Sequence, residues 1–269
     1  MRNVFLIFTY TAKDRLRQKS FWVIAAIAVV FVLFMRGCYD AEFSVNGKEL
    51  NSLTIAWHAS KIIFHIVGGA ILLITILLGM RLFPRDREDG GAVMIVGRPV
   101  ARWQYALGRV LGVWMIASIF MFCLHLAIFL IVWNKTGGVL PGYLTASVIC
   151  FLNILFVVNF VALLSFSFPG FASGLFAALV LVIGFVSASF FQVTQSKALQ
   201  SALSGSLPTD VSWWRAIYPK TATLQYYASS FIGNESFTQM GSIHPILNVI
   251  AYTIITGLLL FWRVQRQEY

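Results

Sequence analysis

The chain alternates between long apolar runs and short segments that hold nearly all of its charged residues. An α-helix needs about 20 apolar residues to cross roughly 30 Å of hydrocarbon. The interval 136–196 has no charged residue and is too long for one helix, but it contains Pro141 and Pro169, each followed by glycine. Proline interrupts a helix and glycine permits a turn. The pattern therefore predicts six spans, at about 20–36, 61–81, 109–134, 143–168, 170–192 and 245–262.

Residues 1–19 precede the first span and predict an amphipathic helix that lies on the membrane surface. One side carries apolar residues at helical spacing: Val4, Phe5, Phe8, Ala12 and Leu16. The opposite side carries charges: Lys13, Asp14 and Arg17. Arg15 and Lys19 break this pattern, and a plain basic anchor that sets the topology fits the segment equally well.

The amino-acid composition agrees with a protein embedded in a membrane. The chain has 59% hydrophobic and 11% charged residues, whereas soluble domains carry roughly 25% charged residues. We therefore expect an all-α integral membrane protein with six transmembrane helices after an N-terminal interfacial helix. The net charge of +10 does not indicate nucleic acid, because the basic residues bracket the apolar runs as topology signals do.

Basic residues also predict the orientation. With the N-terminus in the cytoplasm, the inner segments hold 13 of the 20 Lys and Arg residues, while the acidic residues divide five and five. This bias favours cytoplasmic N- and C-termini in the cell (inner) membrane. The tail 263–269 is then cytoplasmic, and the segment 193–244 is extracytoplasmic.

Motifs of enzymatic chemistry are missing from the sequence. It has no GxxxxGK[ST], HExxH or GxSxG pattern, and its three cysteines form no CxxC pair. None of the ten carboxylates lies centrally in a predicted span, which counts against a proton-coupled carrier or an ion pump. We expect no catalytic residue, metal site or cofactor in this chain.

Polar residues inside the predicted spans are few. His125, Asn153 and Asn159 must face protein or a water-filled pathway, because an unpaired polar group in hydrocarbon is costly. They either line such a pathway or form hydrogen bonds between helices, and the second interpretation is preferred. Two small-xxx-small pairs, Gly108 with Gly112 and Gly170 with Gly174, favour close helix packing.

The segment 85–109, RDREDGGAVMIVGRPVARWQYALGR, concentrates eight charged residues between two apolar runs. Its short run AVMIV cannot span a membrane and predicts a small helix at the inner face, which Pro99 ends before span three. An ordinary positive-inside loop explains the arginines but not the acids. We therefore interpret residues 84–104 as a cytoplasmic segment that binds a soluble partner.

This segment resembles the one between spans two and three of ABC-2 type transporter permeases. That family often shows a Glu, then Gly-Thr, a short hydrophobic run, Arg-Pro-Val-Ser-Arg and a Gly-Lys. The matching residues here are Glu88, Gly90, Arg98, Pro99, Val100, Arg102 and Gly108. The departures are Gly91 for Thr, Ala101 for Ser and Arg109 for Lys.

The resemblance implies the membrane subunit of an ATP-driven exporter, with no enzyme activity of its own. It implies a second permease subunit, identical or not, and a separate ATP-binding subunit that holds ATP and Mg²⁺. The ATPase-coupling contacts would come from Glu88, Arg98 and Arg102, with Gly90 and Pro99 shaping the turns. The alternative is a motor-free membrane scaffold or a lipid-modifying membrane enzyme. Scarce charge in the spans weakly favours an apolar or lipid-linked cargo over a small ion.

Overall fold

The computed structural model describes residues 2–38, 44–45, 48–49, 52–84, 101–137, 140–195, 218–233, 237 and 243–266. Within these ranges the helices are α1 (Arg2–Arg17), α2 (Lys19–Cys38), α3 (Ser52–Gly79), α4 (Arg102–Thr136), α5 (Pro141–Ser167), α6 (Gly170–Gln195), α7 (Thr221–Ser230) and α8 (Pro245–Arg266). Two short strands, β1 (Ser44–Val45) and β2 (Lys48–Glu49), pair antiparallel. The all-helical class that the apolar pattern predicts is confirmed.

Five helices, α3, α4, α5, α6 and α8, are long and apolar enough to cross a membrane. Helices α1 and α2, which are bent by 67° relative to each other, meet this requirement when they are taken together. Counted as one span, they bring the total to six. The chain is therefore a multi-pass membrane protein. α3 begins at Ser52 instead of about 61, and α4 begins at Arg102 instead of about 109, so both extend past the apolar run that marks a span.

Helix α5 lies at the centre of the bundle and packs against α3, α4, α6, α7 and α8. It has no continuous polar face, and a helix without one is stable only where neighbours or lipid surround it. Ile154, Phe156 and Val158 are buried in its middle. The indole Nε1 of Trp114 on α4 donates a hydrogen bond to the Phe151 carbonyl of α5 at 3.0 Å.

The ends of α4, α5 and α6 follow from local chemistry. Gly137 ends α4 in a left-handed conformation with φ 64°, and its N–H donates to the Trp133 carbonyl at 3.0 Å. Pro141 opens α5, where its missing N–H would have no helical partner. Extended Phe168 and Pro169 separate α5 from α6. These short connections place α5 beside both α4 and α6.

The bundle has two ends, which are distinguished by the helix that packs at each. α1 packs on the first turns of α4, where its Val4 and Ile7 meet Gly108, and we call this side the α1 end. At the other side, the carbonyl of Phe231 after α7 meets Gly142 in the first turn of α5, and we call this side the α7 end. Phe83 and Tyr105, which lie on either side of residues 85–100 in the sequence, are in contact at the α1 end, with their ring centroids 6.0 Å apart.

Candidate functional site

At the α1 end, two glycines of α4 form a groove that holds α1. A Cβ added at Gly108 would lie 2.8 Å from the Ile7 Cβ and 3.0 Å from the Val4 carbonyl oxygen. A Cβ at Gly112 would lie 2.7 Å from the Thr11 Cβ. The two carbon–carbon separations are below normal contact. The glycine pair thus packs against the N-terminal helix, and its partner is not another long span.

The predicted apolar side of α1 divides between two environments. The backbone carbonyls of Val4 and Phe8 face α4, while the side chains of Phe5 and Leu16 are exposed. Thr11, which is polar, is buried against α4. The physical reason is steric. The residues that face Gly108 and Gly112 are buried because of their position on the helix, whether they are apolar or not. Hydrophobic spacing alone does not determine this choice.

A buried arginine links α1 to α4 beside the groove. Arg109 Nη1 donates to Thr11 Oγ1 at 3.5 Å. Its guanidinium carbon lies 5.7 Å from the ring centroids of both Tyr10 and Tyr105, within cation–π range. Because a planar guanidinium can interact with two rings and a hydroxyl at once, Lys would be a poor substitute here.

Four of the predicted ATPase-coupling residues, Glu88, Gly90, Arg98 and Pro99, lie outside the described residues. The fifth, Arg102, opens α4, and its Nη1 donates to the carbonyl of Gln265 at 3.0 Å. That carbonyl belongs to the last turn of α8, where a cation is favourable. Arg102 therefore joins the start of α4 to the end of α8, and its coupling role stays a prediction.

The chain that leads into the segment 85–100 is also held in place. A Cβ at Gly170 would lie 3.1 Å from the Met80 carbonyl oxygen, and a Cβ at Gly174 would lie 3.0 Å from the Met80 Sδ. The second glycine pair thus brings α6 against the end of α3. Both described flanks of the segment 85–100 are consequently packed on neighbouring helices.

At the α7 end, a short helix is enclosed by the long ones. Most residues of α7 are buried, and it contacts α3, α5, α6 and α8. Gln225 Nε2 donates to the carbonyls of Phe64 at 3.4 Å and His65 at 3.1 Å. Gly68 on α3 admits this amide, because a Cβ there would collide with it. Asn153 Nδ2 donates to the Thr221 carbonyl at 2.9 Å. Side-chain amides thus fasten α7 to two spans.

His125 lies inside the same end and joins α4 to α5. Its Nδ1 is 2.9 Å from the Ser147 Oγ in a hydrogen bond, and both residues are fully buried. Its ring stacks on Phe64 at 4.8 Å and meets Tyr143 edge-on at 5.4 Å. Because both residues are buried, a substrate cannot reach this Ser–His pair. The pair instead stabilises the packing of α4 against α5.

Asn159, the third predicted polar residue, lies deeper along α5. It is buried, and its amide nitrogen is 3.9 Å from the position of a Cβ on Gly257 of α8. The structure therefore brings His125 and Asn153 to the α7 end and separates Asn159 from them.

Polar pairing at the α7 end is incomplete. Within the described chain, His125 Nε2, Asn153 Oδ1 and Gln225 Oε1 are buried and have no hydrogen-bond partner. Each such atom destabilises a fold by about 1–3 kcal/mol. Among the described residues, no group of three His, Cys, Asp or Glu residues could hold a metal ion.

The sequence did not reveal the importance of Lys220 and Gln225. Lys220 is buried, its Nζ donates to the Ile243 carbonyl at 3.1 Å, and its N–H donates to Asn248 Oδ1 at 2.9 Å. Burial lowers the pKa of its ammonium group. The sequence predicts one or two short helices in the segment 193–244 that rest against the outer leaflet or dip partly into it, but it does not indicate which of their residues are buried.

The fold and these contacts define an all-α multi-pass membrane protein. In comparisons with known proteins, no protein-family model matches the chain, and no curated protein matches it.

Proposed function

We propose that this chain is the membrane-spanning permease subunit of an ATP-driven ABC exporter. One observation carries the proposal. The family-like segment ends at Gly108, and Gly108 is a residue on which α1 packs. One residue of the family-like segment is thus in direct contact with the N-terminal helix.

In this proposal a separate ATP-binding subunit holds ATP and Mg²⁺ and contacts Glu88, Arg98 and Arg102. A second permease subunit completes the transporter. The chain lies in the cell (inner) membrane with both termini in the cytoplasm, which the Lys/Arg bias supports. Motion of the ATPase pulls on the segment 85–100 and, through its packed flanks, on the bundle.

The packing of these flanks supports the transmission of motion from the ATPase to the helix bundle. Met80 is held against α6, and Arg102 is bonded to the end of α8. A pull on the segment therefore acts on α3, α4 and α8 together. α1 moves with α4, because the glycine groove and Arg109 hold it there.

The alternative of a lipid-modifying enzyme has less support. It needs convergent polar groups that a lipid can reach, and His125 and Ser147 are both fully buried. No contact in the described chain specifically favours a motor-free scaffold.

The test is co-purification of the chain with a candidate ATPase, for which the product of a neighbouring gene is the first choice. We expect Arg98→Glu and Arg102→Glu each to reduce ATPase association and coupled ATP hydrolysis. Arg102→Glu also breaks the contact with Gln265, so its thermal stability is measured beside that of Arg98→Glu. Arg36→Glu, an exposed charge on α2, is the matched control. Undiminished association and coupling in both arginine variants would refute the proposal.

A further inference from the structure

The outward face of α1 is both apolar and basic. Four large residues are exposed there: Phe5 at 66%, Leu6 at 59%, Tyr10 at 60% and Leu16 at 43% of their surface. Three cations are exposed beside them: Arg2, Lys13 and Arg17. Phe5, Leu6 and Leu16 lie on the side of the helix away from Ile7 and Thr11, whose side chains occupy the glycine groove. Tyr10 lies at the edge of this face, where its ring contacts Arg109.

No exposed acid offsets these cations on α1. Its one acidic residue, Asp14, is half-buried and accepts a hydrogen bond from Gln18 Nε2 at 3.3 Å. The face therefore combines positive charge with large apolar side chains and an aromatic ring. A helix of this kind places its apolar residues at the boundary of headgroups and acyl chains, while its cations attract anionic headgroups.

Helix α4 gives this face a suitable position. It has 35 residues, and about 20 suffice to cross the hydrocarbon. The contacts of α1 fall on Gly108, Arg109 and Gly112, in the first turns of α4. α1 is therefore held beside the part of α4 that reaches the edge of the bilayer.

We propose that the exposed face of α1 is a binding surface for anionic phospholipid headgroups in the leaflet at the α1 end. Lys13 and Arg17 contact the lipid phosphates, and Phe5, Leu6, Tyr10 and Leu16 enter the acyl boundary. The inference does not depend on the proposed transport function, because it needs only the chain and a lipid. Its test uses the purified full chain without any ATPase.

The first measurement is a lipid titration. The detergent-solubilised chain is titrated with phosphatidylglycerol or with phosphatidylcholine, and native mass spectrometry gives the binding constant of the first lipid. We expect a preference for phosphatidylglycerol that falls about fivefold for each cation removed at low ionic strength. Lys13→Gln/Arg17→Gln is the test variant. Arg36→Gln/Lys135→Gln removes the same charges from exposed sites elsewhere and is expected to leave the preference unchanged.

The second measurement locates the face in vesicles of phosphatidylcholine and phosphatidylglycerol. Spin labels are attached at Leu6→Cys or Tyr10→Cys after the native cysteines have been replaced. Ile183→Cys, exposed on the middle of α6, is the reference for a lipid-facing site. We expect both α1 labels to be more accessible to oxygen than to a water-soluble nickel complex.

Three results would overturn the proposal. The wild-type chain could show no preference for phosphatidylglycerol. The two double variants could lose the preference equally, which would make it a property of net charge. The α1 labels could be accessible mainly to the nickel complex, which would mean that the face is open to water and fits a soluble protein.

Discussion

Replacing Gly112 by alanine tests whether α1 sits in the glycine groove. The new Cβ would lie 2.7 Å from the Thr11 Cβ and 3.1 Å from the Phe8 carbonyl oxygen. Carbon atoms in contact are separated by about 3.5–4.0 Å, so α1 must move outwards by roughly 1 Å. Overpacking of this kind destabilises a fold by about 1–3 kcal/mol.

Alanine also favours a helix over glycine by about 1 kcal/mol, which opposes the steric effect. Gly69→Ala separates the two contributions, because Gly69 lies inside α3 and a Cβ there meets nothing within 4 Å. Both variants gain the same helix propensity, but Gly112→Ala alone forces α1 to move. We therefore expect Gly112→Ala to be less stable than Gly69→Ala by about 1–3 kcal/mol.

Two measurements on the purified chain check this expectation. The first is the free energy of unfolding of each variant in detergent. The second is the rate of tryptic cleavage after Lys13 and Arg17, which rises if α1 leaves α4. Equal stability of the two alanine variants, with equal cleavage rates, would mean that α1 does not occupy the groove.

Three further predictions concern the α7 end. Gln225→Ala removes two hydrogen bonds to α3, so we expect about 1 kcal/mol lower stability and faster hydrogen exchange in α7. Gly142→Ala places a Cβ against the Phe231 carbonyl, and because backbone meets backbone, we expect a larger loss of thermal stability than Gly69→Ala causes. Burial lowers the pKa of Lys220 from its usual 10.5, so the native state binds this proton more weakly than the unfolded chain does. Stability should therefore rise with pH between the lowered pKa and 10.5, and thermal midpoints should show no such rise in Lys220→Met.

The long helices could be predicted because their signals are local. Uninterrupted apolar runs mark the spans, and the breaks occur at Pro141 and at Pro169, where proline and glycine act on their own backbone. The positions of helix ends beyond the apolar runs could not be read in this way. α3 and α4 continue past them through residues that are compatible with either a helix or a loop.

The contacts of the candidate site could be predicted only in part. Gly108 and Gly112 indicated close packing, but their partner, α1, lies about a hundred residues earlier in the chain. The amino-acid composition of the two segments does not indicate that they pack together. Likewise, nothing in the uncharged stretch 221–230 shows that Gln225 reaches the backbone of α3 through the space left by Gly68.

The distance in sequence between α1 and its groove has a consequence for biosynthesis. Thr11 leaves the ribosome 98 residues before Arg109, which at 5–20 residues per second is a delay of about 5–20 s. During this interval the nascent helix has no groove to occupy. Its Phe5, Leu6 and Tyr10 side chains, which the finished molecule leaves uncovered, are suited to keep it at the bilayer surface. The newly inserted α4 then meets α1 by diffusion in two dimensions.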